Sequence, residues 1–275
     1  MQHAIALVRR RYRRWALNGA AAIALAYILT PLTFVTWLAF FRQEIPSFPP
    51  EGYSLRWFRA ILDQPKFVDG FSMSFQVGVL ATFIGLALGV PAALAVARHQ
   101  FRFRVPLASL LLMPLIVPGV VLGTAMYVYH VELENGLDVD VIGTFYALVA
   151  GHVVIVIPWV VRLVTASLAG VDRSIEEAAQ NLGANAWITF WRITLPTIRP
   201  GIVAGALFGF VTSFGNLEMS LFLCGPGTTT LPIVVLQYLE WKIDPIIASV
   251  SVVQIVLIGI AMLITDRYVK LTRVV

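Results

Sequence analysis

The chain alternates between long apolar runs and short segments where the charged residues collect. Six runs, residues 15–41, 71–97, 106–129, 142–168, 201–223 and 245–265, are long enough to cross a hydrocarbon core, which takes about 20 apolar residues of helix. Their hydrophobicity is solid, whereas the strands of a membrane barrel would alternate apolar and polar positions. The pattern therefore predicts an all-α integral membrane protein with six transmembrane helices. Two longer polar stretches interrupt it. Residues 42–70 contain Pro46, Pro49 and Pro50, then Ser-Leu-Arg-Trp-Phe-Arg-Ala-Ile-Leu over 54–62. Ser54 can cap a short helix there, with Leu55, Phe58, Ile61 and Leu62 on one face. That helix either lies at the membrane interface or packs on the bundle. The second stretch, 169–200, separates the fourth and fifth runs.

Composition removes the soluble classes. Hydrophobic residues make up 59% and charged residues 13%, with a mean hydropathy of +0.83; a soluble domain carries about 25% charged residues. The pI near 9.6 does not point to nucleic acid, because the basic residues sit in clusters between apolar runs rather than on one solvated face. Their distribution sets orientation instead. With the N-terminus inside, fifteen of the 20 Lys and Arg residues fall in cytoplasmic segments: Arg9, Arg10, Arg11, Arg13, Arg14, Arg98, Arg102, Arg104, Arg162, Arg173, Arg192, Arg199, Arg267, Lys270 and Arg273. Outside remain Arg42, Arg56, Arg59, Lys66 and Lys242. The positive-inside rule then predicts both termini in the cytoplasm. The first run is nearly twice a signal-peptide core and lacks a small-x-small site before Arg42, so it is expected to be retained. The single cysteine, Cys224, excludes a disulfide within the chain and is read as a packed thiol.

With that orientation, 169–200 is the long cytoplasmic loop, through which a cytoplasmic partner must act. It reads Asp-Arg-Ser-Ile-Glu-Glu-Ala-Ala-Gln-Asn-Leu-Gly over 172–183 and ends in Ile193-Thr-Leu-Pro196. Asp172 or Ser174 can cap a helix whose first turn carries Glu176 and Glu177, acids favourable near its positive end. Gly183 can end that helix or turn a corner. A second short helix is expected to show an apolar face of Trp187, Phe190 and Trp191, with Pro196 and Pro200 breaking the chain before the fifth span.

The loop resembles the EAA signature of binding-protein-dependent ABC importer permeases: Glu-Ala-Ala, three residues, Gly, nine residues, Ile-x-Leu-Pro. Glu177, Ala178, Ala179, Gly183, Ile193, Leu195 and Pro196 match all seven specified positions at the family spacing. The resemblance implies a type I importer bundle in the inner membrane. Residues 181–192 would be its coupling helix, docked on ATP-binding cassette ATPase subunits. It also implies a second permease subunit, of a different chain, and a periplasmic solute-binding protein. ATP and Mg would be bound by the ATPase, with no cofactor in this chain. The stretches Leu-Phe-Leu-Cys-Gly-Pro-Gly-Thr-Thr-Thr-Leu-Pro over 221–232 and Asp-Pro-Ile-Ile-Ala over 244–248 look like the spermidine/putrescine permease branch. That branch carries adjacent acids near the position of Gly215-Asn216 here, a departure that bears on substrate. The solute implied is a polyamine, an amine or an amino-acid-like compound.

Inside the spans, Gly201, Gly205 and Gly209 recur every four residues, as do Gly85 and Gly89. Small residues at that spacing let helices approach closely, within this chain or at a subunit seam. Pro114, Pro118, Gly119 and Pro158 create breaks that suit a gated path but also occur in plain bundles. Glu218 is the acid most clearly inside a span, and an acid in lipid is a functional candidate. With Asn216 it either lines the substrate path or pairs with His152 or with a partner subunit's polar residue. His3, His99, His130 and His152 are scattered, without metal-ligand spacing. No Gly-x4-Gly-Lys-Ser/Thr run occurs, so the chain is expected to be non-catalytic and fuelled by its partner. A self-sufficient secondary transporter would show an internal repeat or more buried charge. A membrane-embedded enzyme would need a titratable cluster beyond Glu218 and His152.

Overall fold

The computed structural model describes residues 2–269, with side chains over 14–267. His3, Arg9, Arg10, Arg11 and Arg13 of the sequence reading, with Lys270 and Arg273, lie outside the described side chains. Among the described residues the regular structure is helical, apart from one isolated bridge between Phe41 and Tyr53. Five helices are long and apolar enough to cross a membrane: Arg14–Leu38, Pro65–Arg98, Phe145–Ala169, Ala186–Phe214 and Ile246–Arg267. A sixth span exists if the bent pair Arg104–Leu115 and Gly119–Leu137 counts as one. The chain falls into two compact units, one within Met1–Asp63 and Lys242–Val256, the other within Gln64–Trp241 and Leu257–Val275.

In the first unit, helix α1 (Gln2–Leu38) leads into a looped segment that ends in α2 (Arg56–Leu62). The loop is closed by backbone bonds from Arg42 N to Gly52 O (2.9 Å) and from Ser54 N to Phe40 O (2.8 Å). The expected apolar face of α2 is corrected: Leu55 and Leu62 are exposed, and Trp57 is the buried anchor. The indole explains the choice, because its Nε1–H donates to the Phe41 carbonyl at 2.7 Å, so the large ring is buried with its polar atom satisfied. Ser54 does accept from Arg56 N (3.1 Å), but the N-cap position itself is Leu55.

The second unit is built on three helices, α3 (Pro65–Arg98), α6 (Phe145–Ala169) and α9 (Leu195–Phe214). Between α3 and α6 lie α4 (Arg104–Leu112), a 3₁₀ turn and α5 (Gly119–Leu137). Between α6 and α9 lie α7 (Arg173–Asn181) and α8 (Ala186–Thr189). After α9 come α10 (Leu217–Leu223), α11 (Leu231–Leu239) and α12 (Ile246–Val269). The core centres on the valines of α6. Val156, Val160 and Val164 are fully buried against Val77, Ala81 and Ala93 of α3 and Ile198 of α9. Both glycine ridges face them. A Cβ on Gly89 of α3 would lie 2.8 Å from Val160 Cγ1, and one on Gly205 of α9 would lie 3.1 Å from Val160 Cα. Each ridge thus lets a neighbour settle onto α6 of this same chain, where larger side chains would hold the backbones apart.

Two expected spans are corrected. The third is not straight but turns by 107° at the break before Gly119. Pro118 is extended there (φ −55°, ψ 134°), and a proline disfavours helical backbone in the residue before it. The fifth does not run from 201 to 223. Its helix begins at Ala186 and ends at Phe214, and residues beyond Gly215 form the separate α10. Pro196 and Pro200 therefore do not break the chain. Phe190–Thr194 forms a π turn in which Leu195 N bonds to Phe190 O, five residues back. A turn of that width relieves the clash between the Pro196 ring and the carbonyl four residues behind it.

Candidate functional site

The loop between α6 and α9 is a helix–glycine–helix corner with both ends capped. Asp172 is the N-cap of α7, its Oδ1 accepting from Ser174 N at 2.9 Å. That N–H holds the Asp172 carboxyl below the usual carboxylate range. At the other end Gly183 sits in the left-handed region at φ +93°. Ala184 N reaches Ala179 O (3.0 Å) and Gly183 N reaches Gln180 O (2.9 Å). These are the two bonds of a Schellman cap, which places a glycine four residues after the last alanine of the Glu-Ala-Ala run. Asn185 then caps α8, its Oδ1 accepting from Ile188 N at 2.8 Å. The spacing from Glu-Ala-Ala to Gly is thus the end of α7 plus its stop.

The motif side chains divide by environment. Glu177, Ala178, Gly183 and Pro196 are exposed, while Ala179, Ile193 and Leu195 are half-buried. Past the corner, Leu182 is 90% and Trp187 69% exposed. Trp187 packs edge-on against Trp191 at 5.5 Å. An apolar knob of this kind is presented by a rigid corner and left uncovered within the chain.

Behind the knob lies an anchor that sequence reasoning missed. Glu176 Oε1 accepts from Arg98 Nη2 at 3.3 Å and from Thr194 Oγ1 at 2.8 Å. The Arg98 and Glu176 side chains are only 16% and 14% exposed. Glu177, by contrast, pairs with Arg173 one turn away, both largely exposed. The carboxylate that matters to the local structure is therefore the one just ahead of the motif. The only sequence signal was that Arg98 closes the second apolar run.

A second candidate lies where the break before α5 faces the break before α10. Glu218 packs over Gly119: a Cβ there would lie 3.1 Å from Glu218 Cβ and Cγ. This brings the break before α5 and the break before α10 together. Within the chain Glu218 is exposed and, among the described residues, its carboxylate has no ion pair. Asn216 caps α10, its Oδ1 accepting from Met219 N at 2.8 Å. His152 also has its own partners. Its Nδ1 is 2.8 Å from Ser213 Oγ and its Nε2 is 3.3 Å from Ser220 Oγ.

An apolar helical bundle carrying one capped, knob-bearing polar loop defines a membrane protein. Comparison with known proteins agrees. The family model described as the binding-protein-dependent transport system inner membrane component matches residues 85–273. The putrescine transport system permease protein PotI of Escherichia coli K12 is 30% identical over 210 residues, 76% of this chain and 75% of that protein. The putative 2-aminoethylphosphonate permease protein PhnV of Salmonella paratyphi A is 26% identical over 266 residues, 94% of this chain and 97% of that one. Among solved structures, a bacterial alginate ABC transporter with its alginate-loaded periplasmic protein aligns at TM-score 0.71 and 15% identity, over 94% of each chain. The inward-facing MetNI methionine transporter aligns at TM-score 0.63 and 20% identity, over 74% of this chain and 94% of that one. At these identities the solved structures share the fold. The chain belongs to the binding-protein-dependent transport family, as an inner-membrane permease subunit of an ABC importer.

Proposed function

We propose that this chain forms half of a paired translocation path for a small amine-bearing or amino-acid-like solute, opened and closed by ATPase subunits docked on the Gly183 corner. In this reading the termini and the loop 172–196 face the cytoplasm. A periplasmic binding protein delivers the solute, and a second, different permease chain completes the path. ATP and Mg are bound and used in the ATPase partner. The chain's own residues supply the docking surface (Glu177, Ala178, Ala179, Gly183, Ile193, Leu195 and Pro196 with the residues they position) and the path.

One observation carries the docking: the exposed Leu182–Trp187–Trp191 knob on a corner capped at both ends. Exposed large apolar groups on a rigid mount are what a grooved partner buries. For the solute, Glu218 supports a cationic group, because a carboxylate without an ion pair in a membrane interior favours an incoming cation. The relatives named for putrescine and for 2-aminoethylphosphonate share an amine. Closure of the ATPases pushes on the corner, and the spans answer by moving the opening from one membrane face to the other.

The test is purification of the tagged chain from its host in mild detergent, beside Trp187→Asp. An ATPase and a second permease should accompany the unaltered chain, and the ATPase should be lost from the variant. If the chain purifies alone yet moves solute without ATP, the docking reading fails. In uptake assays Glu218→Gln should weaken import of amine-bearing solutes; unchanged uptake and preference would remove Glu218 from the path.

A further inference from the structure

We infer that Arg98, Glu176 and Thr194 form a positioning node that carries movement of the 172–196 loop into α3 and α9. The inference rests on the docking reading above and adds the residues through which the docked loop acts. The node ties three elements at one carboxylate oxygen. Arg98 is the last residue of α3, where the helix dipole favours a cation. Glu176 is in the first turn of α7, where it favours an anion. Thr194 closes the π turn that leads into α9. Arg98 and Glu176 are 78 residues apart in sequence, so no local folding need brings them together.

Burial makes the tie firm. A largely desolvated ion pair is costly to break, because the group left behind is a buried charge without a partner. Motion of α7 therefore drags Arg98 and Thr194 with it rather than sliding past them. The other attachments of α7 are weaker levers: its motif acid, Glu177, pairs in solvent with Arg173 of the same helix, an interaction that stays within the moving piece.

The node also has room for a second arrangement. Arg98 Nε is buried with no hydrogen-bond partner, while Nη2 already holds Glu176. A guanidinium offers its donors as a fork, and a carboxylate rotated onto the Nε–Nη2 edge would take both. Glu176 lines a cleft of about 300 Å³ together with Arg98, Gln180, Thr189 and Thr194, which gives that rotation space. The π turn supplies the compliance on the α9 side, since a widened turn can shift its register by small steps.

The experiment uses the complete importer, with its binding protein, in proteoliposomes. Solute imported and ATP hydrolysed are measured together for the unaltered complex, Glu176→Gln and Thr194→Val. Glu176→Gln keeps an acceptor for Thr194 but removes the charge. Thr194→Val keeps the ion pair and removes only the hydroxyl. Expected is an ATPase that stays bound and hydrolyses ATP in both variants, while solute moved per ATP falls about fivefold or more, the lower range for coupling between two sites. Arg98→Glu combined with Glu176→Arg should recover part of the loss, each single change none. An unchanged ratio in both variants overturns the node. So does a fall that comes with release of the ATPase from both, which would make these residues part of the fold or of the docking surface. Failure of the unaltered complex to hold an ATPase is a separate result, visible before any variant is made, and it sinks the docking reading itself.

Discussion

His152 Nδ1 lies 2.8 Å from the hydroxyl of Ser213, with both side chains buried. The other ring nitrogen faces Ser220. The two serines stand on either side of the α9–α10 break, so one imidazole on α6 spans it. Ser220 also donates to Asn216 O at 2.8 Å, which ties the histidine contact to the N-cap of α10. His152→Phe leaves the Ser213 hydroxyl buried without this partner, a loss of about 1–3 kcal/mol. The purified importer should melt several degrees lower than the unaltered one. An unchanged melting temperature would show that the break is held by packing alone.

Gly183 makes a sharper prediction, because its surroundings are empty. No atom lies within 4 Å of where its Cβ would be, yet φ is +93°. Within the chain, the effect of substitution is therefore conformational. Gly183→Val should weaken the corner by at least about 1–2 kcal/mol, the left-handed penalty for a residue with a Cβ, whereas Gly183→Asn should be milder because asparagine tolerates that region. Uptake should follow the order Gly, Asn, Val. Equal uptake in all three would mean that the loop does not need the Schellman cap.

The apolar runs were legible because lipid demands about 20 apolar residues per crossing whatever the packing. The loop 172–196 was legible because a capped helix with a glycine stop leaves a set spacing between its last turn and Gly183. What stayed hidden depends on three dimensions. Pro196 and Pro200 read as breakers, since nothing local announces that a π turn at Phe190–Thr194 lets the helix pass. The 107° bend before Gly119 was signalled by Pro118 only as a kink of unknown size. Glu218 stood out as an acid in lipid, but its seat on Gly119 joins residues from separate spans. Glu176 was masked by its neighbour in the signature, because its partners Arg98 and Thr194 come from elements that no pattern connects.

Asp172 gives the loop a pH dependence of known sign. Its carboxyl is held below the ordinary range by the Ser174 N–H that it caps. A group depressed in the folded state contributes stability that is fully present above its unfolded value, and that is lost as pH falls through the folded one. Protection of the first-turn amides of α7 against hydrogen exchange should therefore drop on acidification below the ordinary carboxylate range. Asp172→Asn keeps a side-chain acceptor at every pH and should flatten the profile. A profile identical in the two proteins would place the acid sensitivity elsewhere.

The approach of α9 to α6 can be tested with two glycines that differ in their surroundings. A Cβ on Gly201 would lie 2.6 Å from the Leu163 carbonyl oxygen and 2.6 Å from Ser167 Cβ. The first neighbour is backbone and cannot rotate away, so Gly201→Ala forces the two helices apart. Overpacking of this kind costs about 1–3 kcal/mol. Gly259 on α12 has nothing within 4 Å of its Cβ position, and alanine there should raise helix stability by up to about 1 kcal/mol. The melting temperature of the solubilised importer should fall for Gly201→Ala and hold or rise for Gly259→Ala. A Gly201→Ala protein that melts with the unaltered one would mean that α6 and α9 do not meet this closely, and the glycine ridge would then have to serve a surface beyond this chain.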